Sequence, residues 1–214
     1  MGLRERKKEQ TRRLIADTAW RMFADRGFDQ VTVAEVANSA EVSVATVFNY
    51  FPAKEDLFFS GLSVFGDGLR AAVADRAPGE SAIMAVRDFL LDSGGLLELV
   101  ESGDEESLDR LRTVQRVIAE SPTLVARERD TLAEIAAALA GQLAEEAGGE
   151  PADHVIAHGV AAALLGVHRA LVDLVRRRVL TDERLGSLAA DVRAYCISAF
   201  DRLADGLRDY APKR

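Results

Sequence analysis

One cysteine, Cys196, stands in 214 residues. No intramolecular disulfide can form, and this usage fits a reducing compartment, so the chain is expected in the cytoplasm. Histidine is nearly as scarce, with three, and only five prolines break the chain. Aromatic residues make up 6%. No run of alternating Val, Ile and Thr between turn signals requires a sheet. No apolar stretch reaches membrane-spanning length without charge. Residues 1–13 are charged and lack the apolar centre of a signal peptide. There is no glycine-rich phosphate loop, no nucleophile elbow and no cysteine near a histidine in sequence. No residue reads as catalytic, and no cofactor is expected.

What remains is rich in Ala and Leu at helical spacing, and the expected fold is all-α with about nine helices. The net charge is -8, which at first argues against a nucleic-acid partner. Its distribution answers that. Residues 1–58 carry nine basic and nine acidic side chains, so the other 18 basic and 26 acidic residues hold the whole excess. Within residues 1–13 six are basic and two acidic. Beside a DNA-reading element such an arm, with Arg4, Lys7 and Lys8, can reach phosphates or a minor groove. By itself the same pattern would be a solvated tail.

That element runs from Thr32 to Lys54. Thr32 followed by Glu35 is a capping box, and Val36, Ala37 and Ala40 form one apolar face behind it. Ser43 is a second N-cap opening barely two turns, Val44 to Phe51. About three residues remain for the turn, as in a helix-turn-helix. On the second helix Val47 and Phe51 can face inward. Ser43, Thr46 and Asn49 then suit base edges or phosphates, Val44 and Ala45 suit thymine methyls, and Phe48 and Tyr50 suit sugar-phosphate. Thr32 and Lys54 are placed near the DNA backbone.

Ile15, Ala19, Phe23, Gly27, Thr32, Val36, Ala37, Val42, Ser43, Thr46, Tyr50, Phe51, Lys54, Glu55 and Leu57 follow in order without gaps. With them the chain resembles the TetR family of bacterial transcriptional regulators over roughly its first quarter. The resemblance implies an all-α homodimer on double-stranded operator DNA. It also implies an N-terminal three-helix DNA-binding domain and a variable C-terminal domain that binds a small effector and releases DNA. Three positions depart from the pattern. Glu41 holds a turn position usually given to Gly, Phe48 one often given to Tyr, and Ala53 one where Ser often caps the next helix.

Residues 1–52 are accordingly expected as the DNA-binding domain and 53–214 as the effector-binding and dimerisation domain. The first helix should run from about Lys7 to Arg26, with Gly27 as its stop and Trp20 in the small head core. Later helices are expected over Ala53–Asp75, Ser81–Leu91, Leu108–Ala119, Ser121–Ala147, from Pro151, and after Glu183. Breaks are read at Ser93-Gly94-Gly95 and Ser102-Gly103-Asp104. Arg176, Arg177 and Arg178 should complement a helix C-terminal dipole.

Val160, Leu164, Val167, Leu171 and Leu174, with Leu188, Val192, Tyr195 and Ala199, form two heptad-like stripes. They can pack within one chain or make a four-helix dimer interface, which the resemblance favours. A mainly apolar effector is expected, near Phe65 and Phe89, with Arg112, Gln115, Arg116, His154, His158 or His168 as polar anchors. His154 and His158 are four apart, a spacing that could hold a metal, but the metallopeptidase pattern needs Glu where Val155 stands. No metal is expected. The alternative reading is a helical small-molecule-binding or metal-dependent enzyme whose N-terminal hairpin is only structural.

Overall fold

The computed structural model describes residues 2–92, 100–101, 104–183 and 185–207. Among them it is helical, with no β-strand. The helices are α1 (Leu3–Arg26), α2 (Val33–Ser39), α3 (Val44–Tyr50), α4 (Lys54–Phe58), α5 (Ser60–Asp75), α6 (Ala82–Asp92), α7 (Glu105–Glu120), α8 (Pro122–Ala147), α9 (Pro151–Thr181) and α10 (Leu188–Leu207). A 3-10 turn, Leu185–Ser187, precedes α10. The breaks read at Ser93-Gly94-Gly95 and at Ser102-Gly103 lie outside the described residues. The chain divides into a head unit, residues 1–63 with 113–128, and a body unit, residues 64–112 with 129–214.

In the head, α1 buries Ile15, Ala19 and Phe23 against Val36, Val47 and Phe51. It ends where Gly27 takes φ 81° and donates its N–H to the Phe23 carbonyl at 2.9 Å. The helix begins at Leu3 rather than at about Lys7, so Arg4 is helical along with Lys7 and Lys8, and all three are exposed. The continuous helix expected over Ala53–Asp75 is two. α4 stops at Phe58, and Phe59 sits at φ -91°, ψ 25°. Phe58 and Phe59 both pack on the head core, 5.1 Å apart edge to face. Neighbours on a straight helix diverge by about 100°, so bringing both rings to one core breaks the helix between them. Trp20 lies 5.8 Å from Phe58, in the head core as expected.

In the body, α10 packs on α9 and α6. Glycines in α5 permit two close approaches. A Cβ on Gly66 would stand 2.9 Å from Ile135 Cγ1, and one on Gly68 would stand 3.0 Å from the Phe89 ring. Arg76, at the C-terminus of α5, is buried and pairs with Glu146 of α8 at 2.7 Å. Arg178 does more than complement a dipole: it is buried and pairs with Asp191 of α10 at 2.6 Å, clamping the last two helices.

Both expected interface stripes need correction. Val160, Leu164, Leu171, Leu188 and Val192 are buried in their own body core, and Val167 and Leu174 pack against it. Tyr195 is 50% exposed, and Val167, Leu174 and Ala199 are half-buried. Period alone shows that a face is apolar, not which partner covers it. α9 is also long and apolar enough, by length and composition, to cross a membrane. Core helices share that property, and Ala157, Ala161, Leu165 and Val175 are buried.

Between α2 and α3 the chain turns through a Schellman motif. Val42 N–H donates to the Ala37 carbonyl at 2.9 Å and Glu41 N–H to the Asn38 carbonyl at 3.2 Å. Glu41 itself takes φ 55°. A side chain in this left-handed region costs on the order of 1 kcal/mol, part of which glycine repays through its freer unfolded chain. Glu41→Gly should therefore raise stability by about 0.5–1 kcal/mol, or roughly 1–4 °C in Tm for a chain of this size. A thermal melt showing no gain would remove the strain assigned to this turn.

Candidate functional site

The α2–α3 motif is held by local hydrogen bonds. The Thr32 hydroxyl accepts from Glu35 N–H at 3.2 Å and donates to Glu35 Oε2 at 2.8 Å. The Thr32 N–H donates to the same oxygen at 2.8 Å, and Arg26 donates to Oε1 at 2.8 Å. The two Thr32 donors and then Arg26 hold the Glu35 carboxyl down to about 2. Thr32 thus commits both of its donors to the capping box, whereas a phosphate needs a donor.

Ser43 caps α3, accepting from Thr46 N–H at 3.0 Å, and the two hydroxyls lie 2.7 Å apart. Val47 and Phe51 are buried, and Tyr50 packs on the same core. Val44 and Phe48 stand 40% and 46% exposed, and Ala45 and Asn49 are exposed beside them. Positions 44, 45, 48 and 49 make two i, i+4 pairs and so one continuous outward stripe.

Lys54 was expected towards the DNA backbone. Its ammonium instead donates to the Phe28 carbonyl at 2.7 Å and lies 4.1 Å from the centre of the Phe28 ring. Partial burial lowers its pKa. Its evident part is to tie α4 to the α1–α2 connection. Sequence spacing could not show this, because the partner carbonyl lies 26 residues away. Arg12, absent from the expected set, lies over the Phe51 ring at 5.2 Å.

Of the residues expected around an effector, the body unit brings three together. Phe65 stacks on His168 at 4.6 Å and meets Phe89 at 5.6 Å. Arg112 lies in the same unit but is engaged by Asp109, Asp182 and the Val179 carbonyl. Gln115 and Arg116 belong to the head unit, where Gln115 is buried and Arg116 donates to the Ala24 carbonyl at 3.3 Å. His154 and His158 are exposed near the start of α9, His158 Nδ1 lying 2.8 Å from the His154 carbonyl. Ten residues of helix put His158 about 15 Å from His168 along the axis. No group of three or more metal-binding side chains occurs among the described residues.

Two short capped helices with an exposed second-helix stripe define a helix-turn-helix of the DNA-reading kind. Residues 15–60 match the family model of the bacterial regulatory proteins, tetR family. The HTH-type transcriptional regulator TcmR of Streptomyces glaucescens is 28% identical over 127 residues, 58% of this chain and 55% of that protein. The HTH-type transcriptional repressor Rv1474c of Mycobacterium tuberculosis is 38% identical over 79 residues, 37% of this chain and 40% of that one. The matched stretch thus spans about half or less of these relatives' lengths. Among solved structures, NalD is the secondary repressor of the MexAB-OprM multidrug efflux pump in Pseudomonas aeruginosa. It matches with a TM-score of 0.54 at 20% identity, covering 91% of this chain and 96% of that one. At that identity the likeness is one of fold. Over residues 15–60 the chain is thus similar to the tetR family of bacterial regulatory proteins, in agreement with the resemblance its sequence carries. The named relatives are transcriptional regulators, which favours the regulator reading over the enzyme alternative.

Burial pushes His168 down to about 4 from the ordinary 6.5. Below about pH 6.5 the unfolded chain takes up a proton that the folded chain refuses until about pH 4. This site therefore withdraws stability as pH falls through that window and has no such effect above it. Urea unfolding at pH 7 and pH 4.5 should show a smaller loss for His168→Phe, which keeps a stacking ring, than for the unsubstituted protein. Equal losses would mean that the imidazole is not desolvated.

Proposed function

We propose that the protein is a transcriptional repressor that binds a near-palindromic operator as a homodimer and is released by a small, mainly apolar effector. The observation that carries this reading is the exposed, uncharged stripe Val44, Ala45, Phe48 and Asn49 on the second helix of a rigidly capped motif. The exposed basic residues on the first turns of α1 supply phosphate contacts. The names of Rv1474c and NalD support the sign, since both are called repressors.

The dimer reading rests on what α9 and α10 leave uncovered. Gly159, Ala162, Gly166 and Ala170 are exposed along α9, and a Cβ on Gly159 or Gly166 would meet nothing within 4 Å. Val155 is 75% exposed on α9 and Tyr195 50% on α10. Small residues let helix backbones approach closely, and these faces on two copies would close a four-helix interface. A two-fold dimer then offers two copies of α3 to two half-sites. The effector reading rests on Phe65, Phe89 and the neutral His168, an apolar and aromatic group with one polar handle. A coupling of roughly 1–3 kcal/mol between effector and operator binding would suffice.

Selection of bound DNA from a random pool, at two salt concentrations, tests the reading. It should return an inverted repeat. Asn49→Ala should then lose preference for that repeat while keeping its salt dependence, since its phosphate contacts are unchanged. Recovery of only weak, salt-sensitive binding without sequence preference would refute it.

A further inference from the structure

The residues able to read bases are fewer than the motif suggests. Val47 and Phe51 are spent on the core, and Tyr50 leans on it. The Ser43 and Thr46 hydroxyls bond to each other, and Lys54 is drawn to Phe28. The helix Val44–Tyr50 carries no Arg or Lys, the side chains that most often read guanine, and no Asp or Glu to accept from cytosine. Three exposed apolar groups and one carboxamide remain on the outward face of α3, beside one hydroxyl proton of the Ser43–Thr46 pair at its N-terminus. In the major groove the apolar group offered by an unmodified base is the thymine C5 methyl, and a carboxamide pairs in bidentate fashion with adenine N6 and N7.

Resting on the DNA-binding reading above, we propose that each half-site is read through A·T base pairs, with thymine methyls against Val44, Ala45 and Phe48 and an adenine on Asn49. Charge complementarity orients the complex: basic α1 residues take phosphates while the uncharged stripe enters the groove. Apolar surface that costs free energy in water is then covered by the methyls. Sequence preference therefore comes from methyl packing and a single amide, and the phosphate contacts add affinity without preference.

The test uses the full chain and the operator recovered by selection. Each thymine is replaced in turn by deoxyuridine, which removes the methyl and leaves every hydrogen-bonding edge intact. Affinity should fall about fourfold at the contacted positions, the worth of roughly one buried methyl. With Val44→Ala or Phe48→Ala protein, the replacement at the matching position should cost little more. Exchanging a contacted T·A pair for a pair of 5-methylcytosine with guanine keeps the methyl and removes the adenine. It should bind better than the unmethylated cytosine pair, which separates the methyl contact from that of Asn49. A selected repeat whose invariant positions are G·C, or deoxyuridine replacements without effect throughout, would overturn the proposal and leave sequence-specific DNA binding standing. Failure to recover any repeat would overturn both.

Discussion

A seven-residue helix cannot hold itself in water. Its first turn fixes several dihedrals for one hydrogen bond, and too few bonds follow to repay that. α3 is such a helix, and it exists because Val47 and Phe51 are buried to within 1% against Ile15, Phe23 and Val36. Those two side chains also set its rotation. With 47 and 51 turned inward, 44, 45, 48 and 49 have to face outward, and the stripe proposed to read DNA follows from the core. The caps do the complementary work. The Thr32–Glu35 box, the Schellman turn at Glu41 and the Ser43 cap fix where α2 stops and α3 starts. The head core thus determines which side chains of α3 are exposed, and the turn determines the angle at which they are presented.

This division explains what could be read from the sequence. The motif was legible because each of its signals is local: an N-cap and its partner three residues on, a short turn, and two apolar positions four apart. The left-handed turn was legible too, since a position that usually needs glycine carries Glu41, and the strain appears as a positive φ. Long-range choices were hidden. Nothing near Lys54 in sequence announces that the Phe28 carbonyl will take its ammonium. Nothing in the spacing of Phe58 and Phe59 says that both rings join one cluster, which is what splits the expected helix into α4 and α5. The pairing of Arg178 with Asp191 was missed likewise, because a charge at a helix end has a local explanation at hand and a better one on the next helix.

The body raises the same question at larger scale. The effector candidates were chosen for chemical type and scattered over α5 to α9, and only Phe65, Phe89 and His168 came together. What joined them is backbone approach. Gly68 lets the Phe89 ring come to within 3.0 Å of where a Cβ would stand, so the aromatic group depends on a residue with no side chain. A neutral imidazole follows from that closeness, because desolvation at His168 disfavours its cation. The charge state of the site is a consequence of packing.

The stripes on α9 and α10 carry the argument furthest. The apolar faces of a helix have to be covered. Val160, Leu164, Leu171 and Val175 cover one side of α9 from within the chain, while Gly159, Ala162, Gly166 and Ala170 stay exposed. Also uncovered are Val155 and Ile156 near the start of the helix, and the polar His154, His158, Arg169 and Asp173. Lipid gains little from glycine and alanine, which bury scant area per residue. Another helix gains a close backbone approach from them. Leucine and valine therefore mark the face α9 turns to its own core, and the small residues mark a face open to close helix approach, the one on which the proposed dimer rests. Reading residue size along with residue polarity is what distinguishes the two sides of this helix.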